Sequence, residues 1–329
     1  MHFGPVRTAV AVALFAAVAG SAQADTEKTP RCLFVSSYHQ GYAWSDNVER
    51  GLRAVLDGHC QIRQFDMDTK RRKSEEEKRR RGEMAREIIE SWQPDVVVTA
   101  DDNAAKYLIV PYYKDHDIPF VFCGVNWTVE EYGFPYDNVT GMIEVAPIKP
   151  LLERAQEIVP NARRVFYIGA DTLTEEKNLK RFQAATERLG LALEHALVPN
   201  AEGWIEAYRQ AQSYDFVILG GYAGIENWAP ERVFAEVIQS SRRLSVTNHR
   251  WMMSFALLGM TMVAEEHGEW AAKTALRLLE GMAPREIPIV ANQRRDTWIN
   301  EQVLASSGVR IPNQVIRKAK KVAPLETKS

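Results

Sequence analysis

The chain is poor in the residues that build metal centres: three cysteines and seven histidines in 329 residues, with no Cys-x-x-Cys pair and no histidine-rich tract. A structural zinc site draws on closely spaced thiols and imidazoles, so metal chemistry has little support. Neither sign of charge is in excess, since 41 Lys and Arg stand against 43 Asp and Glu for a net charge of −2. That balance leaves no electrostatic footprint for nucleic acid. Also missing are a G-x-S-x-G elbow, a P-loop and a G-x-G-x-x-G turn, and the GGYAG at 220–224 is too short to serve as one. Asp101 and Asp102 are chain neighbours whose side chains diverge rather than share a proton. His39 near Ser37 has no third group to complete a nucleophilic triad. The expectation is a protein that binds without converting, and without a cofactor.

No apolar run reaches the roughly 20 residues that a bilayer-crossing helix needs. The apolar run near the start, Thr8 to Ala19, follows Arg7 and precedes Ala22-Gln23-Ala24. This is the pattern of a secretory signal peptide cleaved after Ala24, so residues 1–24 are expected to be removed and the rest to be soluble and periplasmic.

What the sequence has is alternation. From residue 31, short β-rich runs (CLFVSS, CQIRQFDMD, PDVVVTADD, IPFVFCGVN) alternate with amphipathic helical ones (SDNVERGLRAVLDG, SEEEKRRRGEMAREIIESW, NAAKYLIVPYYKD). Strands separated by helices need crossover connections, hence a parallel sheet with helices on both faces. VTGMIEV breaks the rhythm, and the pattern restarts with PIKPLLERAQEIVP, RRVFYIGA and their successors. The fold class is therefore α/β with two Rossmann-like units. The charged run KRRKSEEEKRRR, Lys70 to Arg81, carries opposite charges at helical spacing and reads as a solvated helix start rather than a docking patch.

In open parallel sheets, ligands bind beyond the carboxyl ends of the strands. Those ends carry Ser36-Ser37-Tyr38-His39, Asp66 to Lys70, Thr99 to Asn103, and Cys123 to Trp127 in the first unit. In the second they carry Gly169 to Thr172, Gly220 to Gly224, and Thr247 to Trp251. Singly, each has a bland reading: Asp102, Asn103, Ser45 or Asp46 as a helix cap, Gly220 and Gly221 as a turn. Caps, however, would not also need Tyr38, Tyr42, Trp44, Trp127, Tyr222 and Trp251 beside them. The expected cleft residues are Ser37, Tyr38, Trp44, Asp102, Asn103, Asn126, Asp171, Tyr222, Asn248 and Trp251, with Asp68, Glu265 and Glu266 in second rank. Ser37 is expected to donate to an anionic ligand group, and the aromatic rings to hold a flat or apolar body.

The segments SSYHQGYAWSDNVERGLR, MDTKR, PDVVVTADDNAAKYL, PFVFCGVN and WMMSFALLGMTMVAEEHGEWAAKTALRLLEG together resemble the ABC-transporter substrate-binding protein family that includes periplasmic binding proteins for aromatic amino acids. The resemblance implies a type I periplasmic-binding-protein architecture, two lobes joined by three crossovers near 137–144, 245–250 and 284–292. It assigns 25–140 and 250–284 to the first lobe, and 141–249 and 285–329 to the second. It also implies a monomer that traps an amino-acid-like or aromatic ligand for an ABC transporter permease. The alternative is a subunit that presents its ligand to a membrane sensor kinase or cyclase.

In a doubly wound sheet of order 2-1-3-4-5, Cys32 and Cys60 begin neighbouring parallel strands at the edge far from the ligand. Strands about 4.8 Å apart suit a disulfide, and export supplies the oxidising compartment. The alternative is two small buried residues that happen to begin strands. Cys123, near the cleft, is expected to stay a free thiol.

Overall fold

The computed structural model describes residues 29–324, together with Met1, His2 and Gly4. Apart from those three residues, the expected signal peptide lies outside the described residues. The first lobe opens with β1 (Arg31–Ser36), α1 (Ala43–Leu56), β2 (Gln61–Asp66), α2 (Glu75–Trp92) and β3 (Val96–Ala100). A helical stretch follows, made of α3 (Asp101–Ala104), a π-helical turn (Ala105–Ile109) and α4 (Val110–Tyr112), and leads to β4 (Phe120–Asn126) and β5 (Val139–Glu144). The second lobe comprises α5 (Ile148–Ile158), β6 (Arg164–Ala170), α6 (Leu173–Arg188), β7 (Ala192–Val198), α7 (Ala201–Ala211), β8 (Phe216–Leu219), α8 (Pro230–Ser240), β9 (Leu244–Thr247) and β10 (Leu258–Met262). The chain then returns to the first lobe with α9 (Ala264–Leu279) and β11 (Val290–Ala291). It ends on the second with β12 (Arg295–Ile299), α10 (Glu301–Ser307), α11 (Asn313–Lys318) and β13 (Lys320–Lys321).

The first sheet has the order β11-β5-β4-β3-β1-β2 and is parallel throughout. The second has the order β13-β12-β10-β9-β8-β6-β7 and is parallel except where β12 runs against β10. Alternation along β1 sets the layering of the first lobe. Leu33 and Val35 face the core under α2 and the 101–112 helical stretch, whereas Cys32 and Phe34 face the core under α1 and α9. The second lobe has one larger core, with Trp204, Tyr167, Tyr208 and Phe182 fully buried. Burying a parallel sheet on both faces is what makes its strands read as continuous apolar runs.

Helices α1 and α9 touch backbone to backbone. A Cβ on Gly268 would fall inside the Val48 carbonyl oxygen, and one on Gly51 inside the Glu265 carbonyl oxygen. Each glycine meets a backbone carbonyl of the partner helix, and together they let the returning helix dock on the first lobe.

Three passages join the lobes, at 145–147, at Val263 and at 292–294. The expected boundaries shift accordingly. VTGMIE is the fifth strand of the first sheet rather than a crossover, because Phe120↔Val139 through Asn126↔Glu144 pair it to β4. The passage expected near 245–250 lies at Val263, since β10 still pairs with β9 in the second sheet. Val290 and Ala291 belong to the first sheet, so the return to the second lobe falls after 291 and not near 284.

Cys32 and Cys60 form a disulfide with Cα atoms 5.8 Å apart, joining β1 to the residue before β2. Cys123 is a buried free thiol. The charged run starts α2, where Ser74 accepts from the Glu77 amide 3.2 Å away and three glutamates occupy the first turn. These acids suit the positive end of the helix dipole. Arg81 reaches back from the same helix to the carbonyls of Asp66 and Met67, fixing the loop that carries Lys70. No helix among the described residues is long and apolar enough to cross a membrane, and no cluster of metal-ligating side chains occurs among them.

Candidate ligand-binding cleft

A cavity of about 1510 Å³ lies between the carboxyl edge of the first sheet and the facing loops of the second lobe. Both lobes line it, as do the three passages between them.

The first-lobe wall grows out of β1. Ser37 is fully buried, and its hydroxyl donates to the Ala100 carbonyl (2.6 Å) while accepting from the Ala104 amide (2.8 Å). The hydroxyl is spent on tying β1 to the end of β3, so Ser37 is not the expected donor to a ligand. Tyr38 comes next and does line the cavity, packed edge-on against Tyr42 at 5.2 Å with the Lys70 ammonium 4.3 Å above its ring. Trp44, at the start of α1, also lines the cavity and donates from its indole nitrogen to Asp101 Oδ1 at 3.1 Å.

Asp101 is the first residue after β3. Its φ of +67° is a left-handed conformation that Asp tolerates better than most residues. The bend carries its carboxyl into the cavity wall, where Oδ2 is buried without a hydrogen-bond partner. Gly124 makes room for it. A bulge at Cys123/Val125 and a φ of +72° swing β4 aside, and a Cβ there would crowd Asp101 Oδ1 at 3.2 Å. The second carboxyl of the wall is Glu144, the last residue of β5. Burial pushes Asp101 up to about 8, with the Asp102 charge adding to it, and pushes Glu144 well above the usual carboxylate range, with Asp101 and Asp102 adding to that. Lys70 opposes both shifts weakly. The Tyr38 hydroxyl is raised for the same reasons.

Asp102 and Asn103 stand behind this wall. Asp102 accepts from the Asn126 side-chain amide (2.5 Å) and the Tyr132 hydroxyl (2.8 Å), and so holds Asn126, which does line the cavity. Asn103 donates to Thr69 Oγ1 at 2.8 Å. Asp68 is occupied by Arg71 at 2.6 Å and His39 at 3.4 Å, outside the cavity. Glu265 lines the cavity rim and pairs with Arg50 at 2.6 Å. Glu266 belongs to the hinge, where its carboxylate accepts from the amides of Gln293 (2.9 Å) and Arg294 (2.7 Å). Asn292 closes the same region by accepting from the Val145 amide at 2.7 Å.

The second-lobe wall follows β9. Asn248 is buried in it, with Oδ1 unpartnered. His249 takes a hydrogen bond from Asn178 at 3.0 Å, stacks on Trp251 at 4.5 Å, and is lowered to about 4 by burial, so it is neutral. Trp251 lines the cavity and is 54% exposed. Arg181, from α6, lies 4.1 Å over Trp127, a first-lobe residue that packs against the second-lobe core. Asp171 and Tyr222 are not brought to the cavity. Asp171 is exposed at the end of β6, and Tyr222 stacks on Trp228 at 4.7 Å.

Of the ten expected cleft residues, Tyr38, Trp44, Asn126, Asn248 and Trp251 therefore share the cavity. Glu144, Lys70, Arg181 and His249 join them without having been singled out from sequence. Glu144 was legible only once VTGMIE was recognised as a strand whose carboxyl end meets the same edge.

The family described as ABC transporter substrate binding protein matches residues 45–323, most of the chain. The chain belongs to this family. No curated protein matches it significantly. Among solved structures, this substrate-binding protein is similar to the ligand-free, open form of a substrate-binding protein with adhesive properties from Clostridium difficile, with a TM-score of 0.74, 12% identity and 90% and 100% of the two chains covered. It is also similar to an ABC domain in complex with L-Trp from Streptococcus pneumonia (TM-score 0.58, 17% identity, 90% and 100% covered). A third similar structure is the periplasmic ribose ABC transporter from Conexibacter woesei (TM-score 0.55, 12% identity, 84% and 94% covered). At such identities the likeness speaks for the fold, the two-lobed type I periplasmic-binding-protein architecture.

Proposed function

We propose that this substrate-binding protein is an extracytoplasmic receptor that traps a small amino-acid-like or aromatic solute between its lobes and delivers it to an ABC transporter permease. The observation that carries the reading is the aromatic lining of one interlobe cavity from both sides, Tyr38, Tyr42 and Trp44 from the first lobe and Trp251 from the second. Rings on opposing walls suit a flat body, and the polar groups between them fix its orientation. Tyr38, Trp44, Asn126, Asn248 and Trp251 are the contact residues in this reading. An anion at the first-lobe wall would meet Asp101 and Glu144, so a carboxylate belongs on the Arg181 side. A nucleoside or similar heterocycle is the second choice, on the same aromatic walls.

A thermal-shift screen over amino acids, aromatic acids, nucleosides and sugars tests the reading. A ligand at 100 times its dissociation constant stabilises by about 2.7 kcal/mol, a shift of several degrees in a chain with lobes of this size. Stabilisation by amino acids or aromatic compounds, abolished by crowding the cavity, is expected. Stabilisation by sugars alone would replace the ligand class.

A further inference from the structure

The first-lobe wall contains an arrangement that a flat aromatic ligand alone does not explain. Two carboxyls from different strand ends, Asp101 after β3 and Glu144 at the end of β5, face one cavity, and neither has an ion-pair partner among the described residues. Asp101 Oδ2 is buried and unpartnered, and the Glu144 carboxyl has no hydrogen bond among the described residues. Across the cleft, the unpartnered buried atom of Asn248 is also an acceptor, Oδ1. Buried polar atoms are almost always satisfied, so orphaned acceptors in a cavity wall mark where a donor arrives. Lys70, the only cation that the first-lobe wall contributes to the cavity among the described residues, rests over the rings of Tyr38 (4.3 Å) and Tyr42 (5.2 Å) rather than on either carboxyl.

We propose that Asp101 and Glu144 form a receptor for a protonated amine on the ligand, and that binding the amine releases a proton held by this carboxyl pair. The inference deepens the solute-binding reading and rests on it. An ammonium supplies three N–H donors and a full positive charge, and it matches two carboxylates plus a carbonyl acceptor, which a hydroxyl or neutral ring cannot do. In the unliganded cleft the desolvated wall disfavours the charged form of each carboxyl, and the Asp101 charge adds to this at Glu144, so the pair holds a proton. When the ammonium enters, that proton leaves to solvent, and the two carboxylates then stand against two positive charges, the ligand ammonium and Lys70. The groups that face Asp101 from the elements around it are Asp102 on its own turn, Tyr38 and Lys70 from the loops after β1 and β2, Cys123 of β4, Glu144 of β5, and, beyond Trp44, His267 of α9. Of these, only Lys70 favours the ionised carboxylates in the empty site. His267 is held neutral by burial, lowered to about 4, so it contributes no competing charge at neutral pH.

The test is isothermal titration calorimetry of the mature protein with matched probes: L-phenylalanine, L-tryptophan, phenethylamine and tryptamine against the deaminated 3-phenylpropionate and indole-3-propionate. At least one amine is expected to bind ten times or more tightly than its deaminated partner. Titrations in two buffers of different ionisation enthalpy are expected to show net proton release at pH 7. The affinity should rise with pH from 6 toward 8 by up to about tenfold per unit for one released proton, then level off. Asp101→Asn and Glu144→Gln should each weaken amine binding tenfold or more and shrink the preference for the amine over its deaminated partner. Because the proton count is read on the unaltered protein, it stands even if a variant fails to fold. Equal binding of the deaminated probes, amine binding without proton release, or no binding by any amine overturns the proposal. The solute-binding reading is separable: it survives if a sugar, nucleoside or aromatic acid binds and Trp251→Ala weakens that binding.

Discussion

At the residue scale, Asp101 shows how a buried carboxyl in the cavity wall is held at the expense of stability. Its folded pKa stands near 8 against an ordinary 3.8, so between those values the folded chain holds a proton that the unfolded chain has lost. Stability from this group is complete below about pH 4 and declines as pH rises toward 8, by at most about 1.4 kcal/mol per unit. Asp101→Asn keeps an acceptor for Trp44 and tolerates the left-handed backbone, yet cannot ionise. In the absence of ligand, urea denaturation is expected to show the variant gaining on the parent steadily from pH 5 to 8. A parallel pH dependence of the two would contradict the assignment. Trp251 gives the opposite case. It is half exposed, lines the cavity and stacks on His249, and in the proposed reading it serves the ligand more than the fold. Trp251→Ala should leave the midpoint of unfolding within about 0.5 kcal/mol and weaken an aromatic ligand roughly threefold to tenfold. A large loss of stability would make it a core residue instead. These residues were unevenly legible in the sequence. Tyr38, Trp44 and Trp251 announced themselves as rings at strand ends. Ser37 looked equally suitable, but a hydroxyl at a strand end serves the neighbouring backbone as readily as a ligand, and only the bonds to Ala100 and Ala104 decide between the two.

At the scale of elements, two contacts hold the first lobe in register. The Cys32–Cys60 disulfide closes a segment with a sequence separation of 28 across neighbouring strands. In the chain-entropy account such a loop stabilises by about 3 to 4 kcal/mol. Reductant, or Cys32→Ser with Cys60→Ser, should lower the denaturation midpoint accordingly, and an unchanged midpoint would show that the crosslink adds nothing. The second contact is the close crossing of α1 and α9, where Gly51 and Gly268 each meet a backbone carbonyl of the other helix. Gly268→Ala must push α9 off Val48, at a cost of about 1 to 3 kcal/mol. It should also loosen the hinge, because Glu265, whose carbonyl meets Gly51, and Glu266, which binds the 293–294 amides, stand in the same crossing. Strand order and the disulfide partners were readable because the βα alternation fixes which strands neighbour each other. The passages were not. A crossover carries no periodicity of its own, and a strand such as β5 that ends in a hinge breaks the strand-helix rhythm just as a connection would. For the same reason β10, entered from β9 through the turn at Arg250–Met252, looked like the start of the return to the first lobe.

At the scale of the molecule, the two cavity walls differ in charge; three short passages join the lobes, and Arg181 of the second lies over Trp127 of the first. Acids face inward from the first lobe, and Arg181 and Arg250 from the second. A solute bearing an amine at one end and a carboxylate or flat ring at the other would contact both lobes only when they approach. Binding can favour the closed arrangement only through contacts the open one lacks. The central claim, that a small solute is trapped between the lobes, is tested most directly by small-angle X-ray scattering of the protein with and without a saturating binder from the thermal-shift screen. A smaller radius of gyration with ligand, lost in Trp251→Ala at the same ligand concentration, is the expected result. An unchanged radius at full saturation would contradict it.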